Sequence, residues 1–294
     1  MLNRRAFLAY GLLALTSCAV AKKTAPPTSR LDRPKQLRFA VTDLSGLETL
    51  ERDFGQFRQA LTDVIAVPID FFPVENYSAA APAMLANELD FVMAGPSEYL
   101  LLRARAKAVP IVGVTRDHYY TQIMTRIGSG ITSLADLKGK TIAMRTEGST
   151  AGHVVPMQML MDAGLSPQDY TVQMLNKQGV DALRSGQVDA WADSFSRYLE
   201  LVKTPGLEGV DIEVIASSDP LPPDLFLANP SLGAPLIAEL RSQMLHNTAH
   251  LLTALSASEA NAKYLSSAMV AVQDTDYQAL RDSYYAIGQG SAIE

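Results

Sequence analysis

The chain is short of the residues that most catalytic and structural metal sites are built from. Its 294 residues contain one cysteine, Cys18, and four histidines scattered along the chain. One cysteine excludes an internal disulfide, and the lack of thiolates together with dispersed histidines argues against structural zinc. His246 and His250, in "HNTAH", share a helix face by spacing, but with no third ligand nearby they read as a solvated face. Positive charge is also short, at 25 Lys and Arg against 31 Asp and Glu, which gives no basic surface for nucleic acid. No G-x-S-x-G elbow, Walker loop or H-E-x-x-H is present. Asp189 and Asp193 form no acid/base pair by spacing, and Trp191 reads as core. Beyond the N-terminus there is no low-complexity tract and no fixed-period repeat.

The N-terminus has its own pattern. Arg4 and Arg5 precede an apolar run from Ala6 to Thr16, 11 residues long. That run is too short to span a bilayer and has the length of a signal-peptide core. It ends in "LTSC", which resembles the lipobox of bacterial lipoproteins, so Cys18 is the expected lipidation site and residues 1–17 the leader. "NRRAFL" also resembles a twin-arginine export signal, and Sec and twin-arginine routes both remain open. Cleavage before Cys18 removes two arginines and no acid, leaving 23 basic against 31 acidic residues, a formal charge of −8. Residues 18–35 are polar, proline-containing and aperiodic, as a tether would be.

From residue 36 the pattern is that of an α/β body, and 48% hydrophobic content is enough for a sizeable core. Short apolar strands ("QLRFAVTD", "VPIDFFPV", "LDFVMAG", "VPIVGVT") alternate with helical segments. One of these carries Leu47, Leu50, Phe54, Phe57, Leu61 and Ile65 at helical spacing. A second alternating set runs from "YYTQIMTRI" to "VDIEVIASS", and the C-terminal part is mostly helical. Such alternation predicts parallel βαβ units, and two lobes fit it better than one sheet. The expected division is 36–118 plus 216–294 for lobe 1 and 119–215 for lobe 2, with crossings near 115–121 and 212–226.

In open α/β sheets, ligands bind beyond the carboxyl ends of strands. The most polar of these ends is "RTEGSTAGHVVP", residues 145–156. Gly148 allows a tight turn, Ser149 is a helix N-cap, and Ser149 and Thr150 add hydroxyls to the bare N–H groups and positive dipole end of a helix start. A simple serine cap would explain the stretch; so would an oxyanion cradle. Arg145 and Glu147 flank it, and either could face a ligand. Other strand ends bring Tyr77, Ser97 with Tyr99, and "RDHYY" at 116–120. Tyrosines there could close over a small polar ligand or simply pack.

Taken together, "PVENYSAAAPAMLANELDFVMAGPSEY", "SLADLKGKTIAMRTEGSTAGHVVP" and "SGQVDAWADS" resemble the phosphate/phosphonate substrate-binding proteins of ABC importers, over roughly residues 36–285. The resemblance implies a two-lobed periplasmic-binding-protein fold of type II, with two open α/β sheets joined by two crossing segments. It implies a non-enzymatic, cofactor-free and metal-free role: a monomeric lipoprotein, periplasmic or at the cell surface, that captures a small oxyanion and hands it to an ABC permease. Its site residues would be Tyr77, Ser97, Tyr119 or Tyr120, Ser149, Thr150, Ala151 and Asp224. Ala151 replaces a family serine, Asn176 stands near a family histidine, and Ser196, beside Arg197, stands near the family's amine-binding acid. An amine-free oxyanion follows as the expected ligand, with Lys177 and Arg197 suited to extra negative charge. A sensor feeding a membrane kinase would keep the same fold, and an enzyme of pyrimidine-precursor type is a remoter reading.

Overall fold

The computed structural model describes residues 33–294 apart from 43, 45, 76–78 and 203–211. The leader, Cys18, most of the tether and Tyr77 therefore lie outside the described residues. The folded body already includes Arg33, which the tether reading did not: its guanidinium donates to the Ile65 carbonyl at 2.8 Å and pairs with Glu239.

In chain order the strands are β1 (Leu37–Val41), β2 (Ile69–Phe71), β3 (Phe91–Ala94), β4 (Val109–Val114), β5 (Thr121–Arg126), β6 (Thr141–Met144), β7 (Thr171–Met174), β8 (Ala190–Ser194), β9 (Ile212–Ser217), β10 (Asp224–Ala228) and β11 (Met269–Val270). The α-helices are α1 (Leu47–Ile65), α2 (Ala80–Leu85), α3 (Pro96–Ala106), α4 (Val155–Asp162), α5 (Gly179–Ser185), α6 (Phe195–Val202), α7 (Ala234–His246), α8 (Thr248–Leu255) and α9 (Gln278–Ala286). The strands make two sheets, ordered β11-β4-β10-β3-β1-β2 and β7-β6-β8-β5-β9. This is the expected two-lobed α/β fold.

The sheets are mixed, which strand–helix alternation alone does not reveal. β1 runs parallel to β2 and β3, and β6 runs parallel to β7 and β8. β10 lies antiparallel between β3 and β4, and β5 antiparallel between β8 and β9. The cause is the crossing. β4 leaves its sheet at the end facing the other lobe, and β10 re-enters at that same end, so the two must run in opposite directions. The carboxyl ends of β1, β3, β6 and β8 consequently all point at the space between the lobes.

The crossings themselves, residues 115–120 and 218–223, are shorter than expected and run side by side. Leu221 N–H donates to the Tyr119 carbonyl at 2.8 Å and Ser218 N–H to the Thr121 carbonyl at 3.0 Å. The Ser218 hydroxyl accepts from Thr121 N–H at 2.9 Å.

The first sheet packs on α1 through aromatic rings. Phe39 contacts Phe54, Phe57, Phe71, Phe91 and Phe226, and Phe91 stacks on Phe226 at 5.4 Å. The 3–4 spacing buries Leu50, Phe54, Phe57, Leu61 and Ile65 as expected. Leu47 is the exception: as the first helical residue it precedes the sheet edge and is 52% exposed. The second sheet buries Trp191 as core, so closely that a Cβ on Gly179 would lie 2.5 Å from its ring. His246 and His250 do not share a helix, because Asn247 ends α7 and α8 starts afresh after it.

Candidate ligand-binding site

The strand ends enclose a cavity of about 170 Å³ with walls from both lobes. On the second lobe, the chain leaves β6 at Met144 and turns sharply. Arg145 N–H donates to the Gly152 carbonyl at 3.0 Å, folding the turn back on itself. Gly148 takes φ +82°, a left-handed conformation that glycine adopts without strain. Its N–H donates to Nδ1 of the buried His153 at 3.1 Å. Burial, opposed by the Glu147 charge, lowers the His153 pKa below the ordinary value, consistent with a neutral imidazole whose Nδ1 accepts.

Ser149 occupies the N-cap, but its side chain makes no capping bond, contrary to the sequence expectation. The reason is local. The helix opens with one π turn, Thr150–Val154, in which the N–H groups of His153 and Val154 both donate to the Ser149 carbonyl, at 3.0 and 2.9 Å. The wider turn moves the donors that a cap side chain would reach. Ser149, Thr150 and Ala151, the first residues of this helix start, line the cavity. Thr121 fixes this element to β5 by donating from Oγ1 to the Ala151 carbonyl at 2.9 Å.

The first lobe is built differently. β3 ends at Gly95-Pro96, which starts α3. The Glu98 carboxylate folds back over this start, Oε2 accepting from Gly95 N–H at 2.7 Å and from the Thr42 hydroxyl at 2.5 Å. Ser97 is fully buried; its N–H donates across the cleft to Thr150 Oγ1 at 3.0 Å, and its own hydroxyl has no partner. At the mouth of β10, Asp224 accepts from the Tyr264 hydroxyl at 2.6 Å and pairs with Arg116 at 3.5 Å. The Arg116 guanidinium lies 3.2 Å over the Tyr119 ring.

Charge in the cavity wall is balanced. Arg116, Arg145 and Lys263 face Glu98, Asp193 and Asp224. Asp193, at the end of β8, is buried, accepts from Ser194 N–H at 2.7 Å and lies 3.9 Å from Arg145. Selectivity for an anion must then come from directed donors, namely N–H groups, hydroxyls and guanidinium forks, rather than from net potential.

Residues 39–285 match the family of phosphonate-type periplasmic substrate-binding proteins of ABC transporters. The chain belongs to this family. Its relatives include the phosphate-import protein PhnD of Mycolicibacterium smegmatis, 22% identical over 254 residues, which are 80% of this chain and 79% of that one. Among solved structures, PhnD1 of Prochlorococcus marinus in complex with methylphosphonate is 18% identical, with a TM-score of 0.70 over 87% of this chain and all of that one. XAC2383 of Xanthomonas citri, bound to ATP, is 15% identical, with a TM-score of 0.74 over 88% of this chain and 98% of that one.

In this phosphonate-family binding protein the structure gathers Tyr119, Ser149, Thr150, Ala151 and Asp224 in the cavity wall. Ser97 sits just behind it, bonded to Thr150. Tyr120 turns away and stacks on Phe195 at 4.9 Å, so Tyr119 is the tyrosine of the pair that faces the cavity. Asn176 is exposed, outside the lining, and reaches the site only by accepting from Arg145 at 3.2 Å. Arg145 lines the cavity and Glu147 is exposed, which resolves the flanking pair. Lys177 is exposed, and neither it nor Arg197 lines the cavity; Arg116, Arg145 and Lys263 supply its positive charge instead.

Sequence reading missed Glu98, Asp193, Lys263 and Tyr264. Glu98 had a signal, since its place three residues after Gly95 at a helix start is the capping-box position. Lys263 and Tyr264 had none, because they arrive from the helical C-terminal region by tertiary packing.

Proposed function

We propose that this binding protein captures a phosphorus oxyanion (phosphate, phosphite or a small amine-free phosphonate) between its lobes and delivers it to an ABC permease. The observation that carries the reading is the start of α4. There Ser149, whose hydroxyl makes no capping bond, lines one cavity between two sheets together with Thr150, Ala151 and Arg145. The relatives named for phosphate import and solved with methylphosphonate support the same class. A cavity of about 170 Å³ suits a small tetrahedral anion. Binding works by hinge closure, a population shift driven by contacts that exist only when both walls meet the ligand. The Ser97–Thr150 bond across the cleft joins the two walls to each other directly.

The lobes divide as 36–118 plus 216–294 and 119–215, a reading that the sharing of strands between sheets supports except at Ala216 and Ser217, which end β9 in the second sheet. The protein is tethered through a lipid on Cys18, a reading that rests on the leader sequence, and works as a monomer, as the family resemblance implies. Among the described residues no helix is long and apolar enough to cross a membrane. Ser196 stands where the family resemblance expects an amine-binding acid; it lies 3.1 Å from the Ser194 hydroxyl and does not line the cavity.

Calorimetric titration with phosphate, phosphite, methylphosphonate and 2-aminoethylphosphonate tests the reading. One of the first three binds tightest; tightest binding of the last contradicts the amine-free ligand. Ser149→Ala with Thr150→Ala weakens binding by about 1–3 kcal/mol per charged hydrogen bond lost. Unchanged affinity in a folded variant refutes the assigned cradle.

A further inference from the structure

A guanidinium helps to bind a small anion most when it is already held where the anion arrives. Arg145, in the cavity wall, is gripped at both ends. At its root, Cβ and Cγ pack so closely on Gly152 that a methyl group there would clash, and its N–H donates to the Gly152 carbonyl at 3.0 Å. At its tip, Nη1 lies 3.9 Å from Asp193 Oδ1, beyond hydrogen-bonding distance, while Nη2 donates to Asn176 Oδ1 at 3.2 Å. Among the described residues, Asn176 accepts the only hydrogen bond that this guanidinium makes.

Topology brings the two residues together across 31 positions. β6 and β7 are parallel neighbours with Met144 opposite Met174, so the chain leaves both strands at the same edge of the sheet. Leu175 N–H ties the two exits by donating to the Met144 carbonyl at 2.9 Å. Asn176 then takes φ +48°, a left-handed conformation that Asn adopts more readily than most residues with a side chain. A guanidinium only donates, so the carboxamide oxygen is the atom that must face it. Asn176 is itself exposed and stands outside the cavity wall.

We propose that Asn176 is a positioning residue, which acts on ligand binding only through Arg145 by holding the guanidinium at the cavity before the anion arrives. An arginine gives up much rotamer freedom when it is fixed on an anion. A contact that has already restricted it leaves less for the ligand to restrict, and affinity rises accordingly. A residue without a side-chain acceptor at 176 would leave the tip of Arg145 with the distant Asp193 charge alone. The inference rests on the oxyanion-binding reading above and deepens it, by naming the residue on which one of its donors depends.

The test is calorimetry with phosphate on wild type, Asn176→Gly, Arg145→Ala and the double variant, with nitrogen-15 NMR of the arginine guanidinium groups in wild type and Asn176→Gly before phosphate is added. Glycine keeps the left-handed turn and removes only the acceptor, so a loss belongs to the hydrogen bond rather than to the backbone. Asn176→Gly weakens phosphate binding about three- to tenfold, the range of one solvent-exposed hydrogen bond. In the Arg145→Ala background the same substitution changes nothing, which a merely structural role for Asn176 would not produce. NMR shows slowed rotation of the Arg145 Nη groups in wild type and faster rotation in Asn176→Gly. Wild-type affinity in folded Asn176→Gly, or an equal loss with and without Arg145, overturns the proposal and leaves oxyanion binding standing. Should the double variant bind too weakly to titrate, NMR decides, and equal rotation in the two proteins overturns the proposal. Absence of any binding of phosphate, phosphite or methylphosphonate by wild type overturns the functional reading and this inference with it.

Discussion

At the scale of single residues, a buried histidine holds the turn that carries the site. His153 accepts from Gly148 N–H through Nδ1, which only an imidazole unprotonated at that nitrogen can do. Burial depresses its pKa, so the unfolded chain takes up a proton before the folded one does. Its contribution to stability is therefore complete above the unfolded value of about 6.5 and is lost as pH falls through the lower folded value. Thermal melts of wild type and His153→Asn across that range should diverge, because the Asn oxygen can accept the Gly148 N–H without titrating. Wild type loses midpoint faster on acidification; parallel curves would show that His153 titration does not couple to folding. No sequence pattern announced this role. The bond links positions five apart, a spacing that matters only once the turn is known to fold back on itself. Ser149 and Thr150, by contrast, were legible, because a glycine and two hydroxyls at a helix start have a direct chemical meaning.

At the scale of elements, the order of strands and helices could be read from apolar spacing. α1 is the clearest case, and Phe57→Ala within its buried stripe should cost about 3–5 kcal/mol in chemical denaturation. What spacing could not reveal was the shape of the α4 start. A π turn and an α turn share one hydrophobic pattern here, so the uncapped serine emerged only from the backbone. The same element makes a sharper prediction through Gly152. A Cβ there would lie 2.6 Å from Cγ and 2.8 Å from Cβ of Arg145, too near the root of that side chain for its flexible end to absorb the clash. Gly152→Ala should therefore swing Arg145 out of the cavity and weaken phosphate binding about tenfold or more, the worth of a charge-assisted contact, with the fold retained. Unaltered affinity in calorimetry would remove Arg145 from the binding wall.

At the scale of the whole molecule, two lobes could be inferred from two alternating strand–helix sets, but the antiparallel strands β5 and β10 could not. Their direction follows from the path of the chain between lobes, a property of topology rather than of any local run of residues. The same applies to the first lobe's share of the site. Tyr264 reaches Asp224 from 40 positions away, and Glu98 acquires its place on the cavity wall only when β1 brings Thr42 beside it. The central claim is that a phosphorus oxyanion sits between the lobes with its oxygens on the α4 start. A crystal structure of the protein with phosphate tests it most directly. One phosphate is expected in the cavity, within hydrogen-bonding distance of the Ser149 hydroxyl, the first N–H groups of the helix start and the Arg145 guanidinium. A phosphate bound elsewhere, or one in the cavity that leaves this helix start untouched, would contradict it.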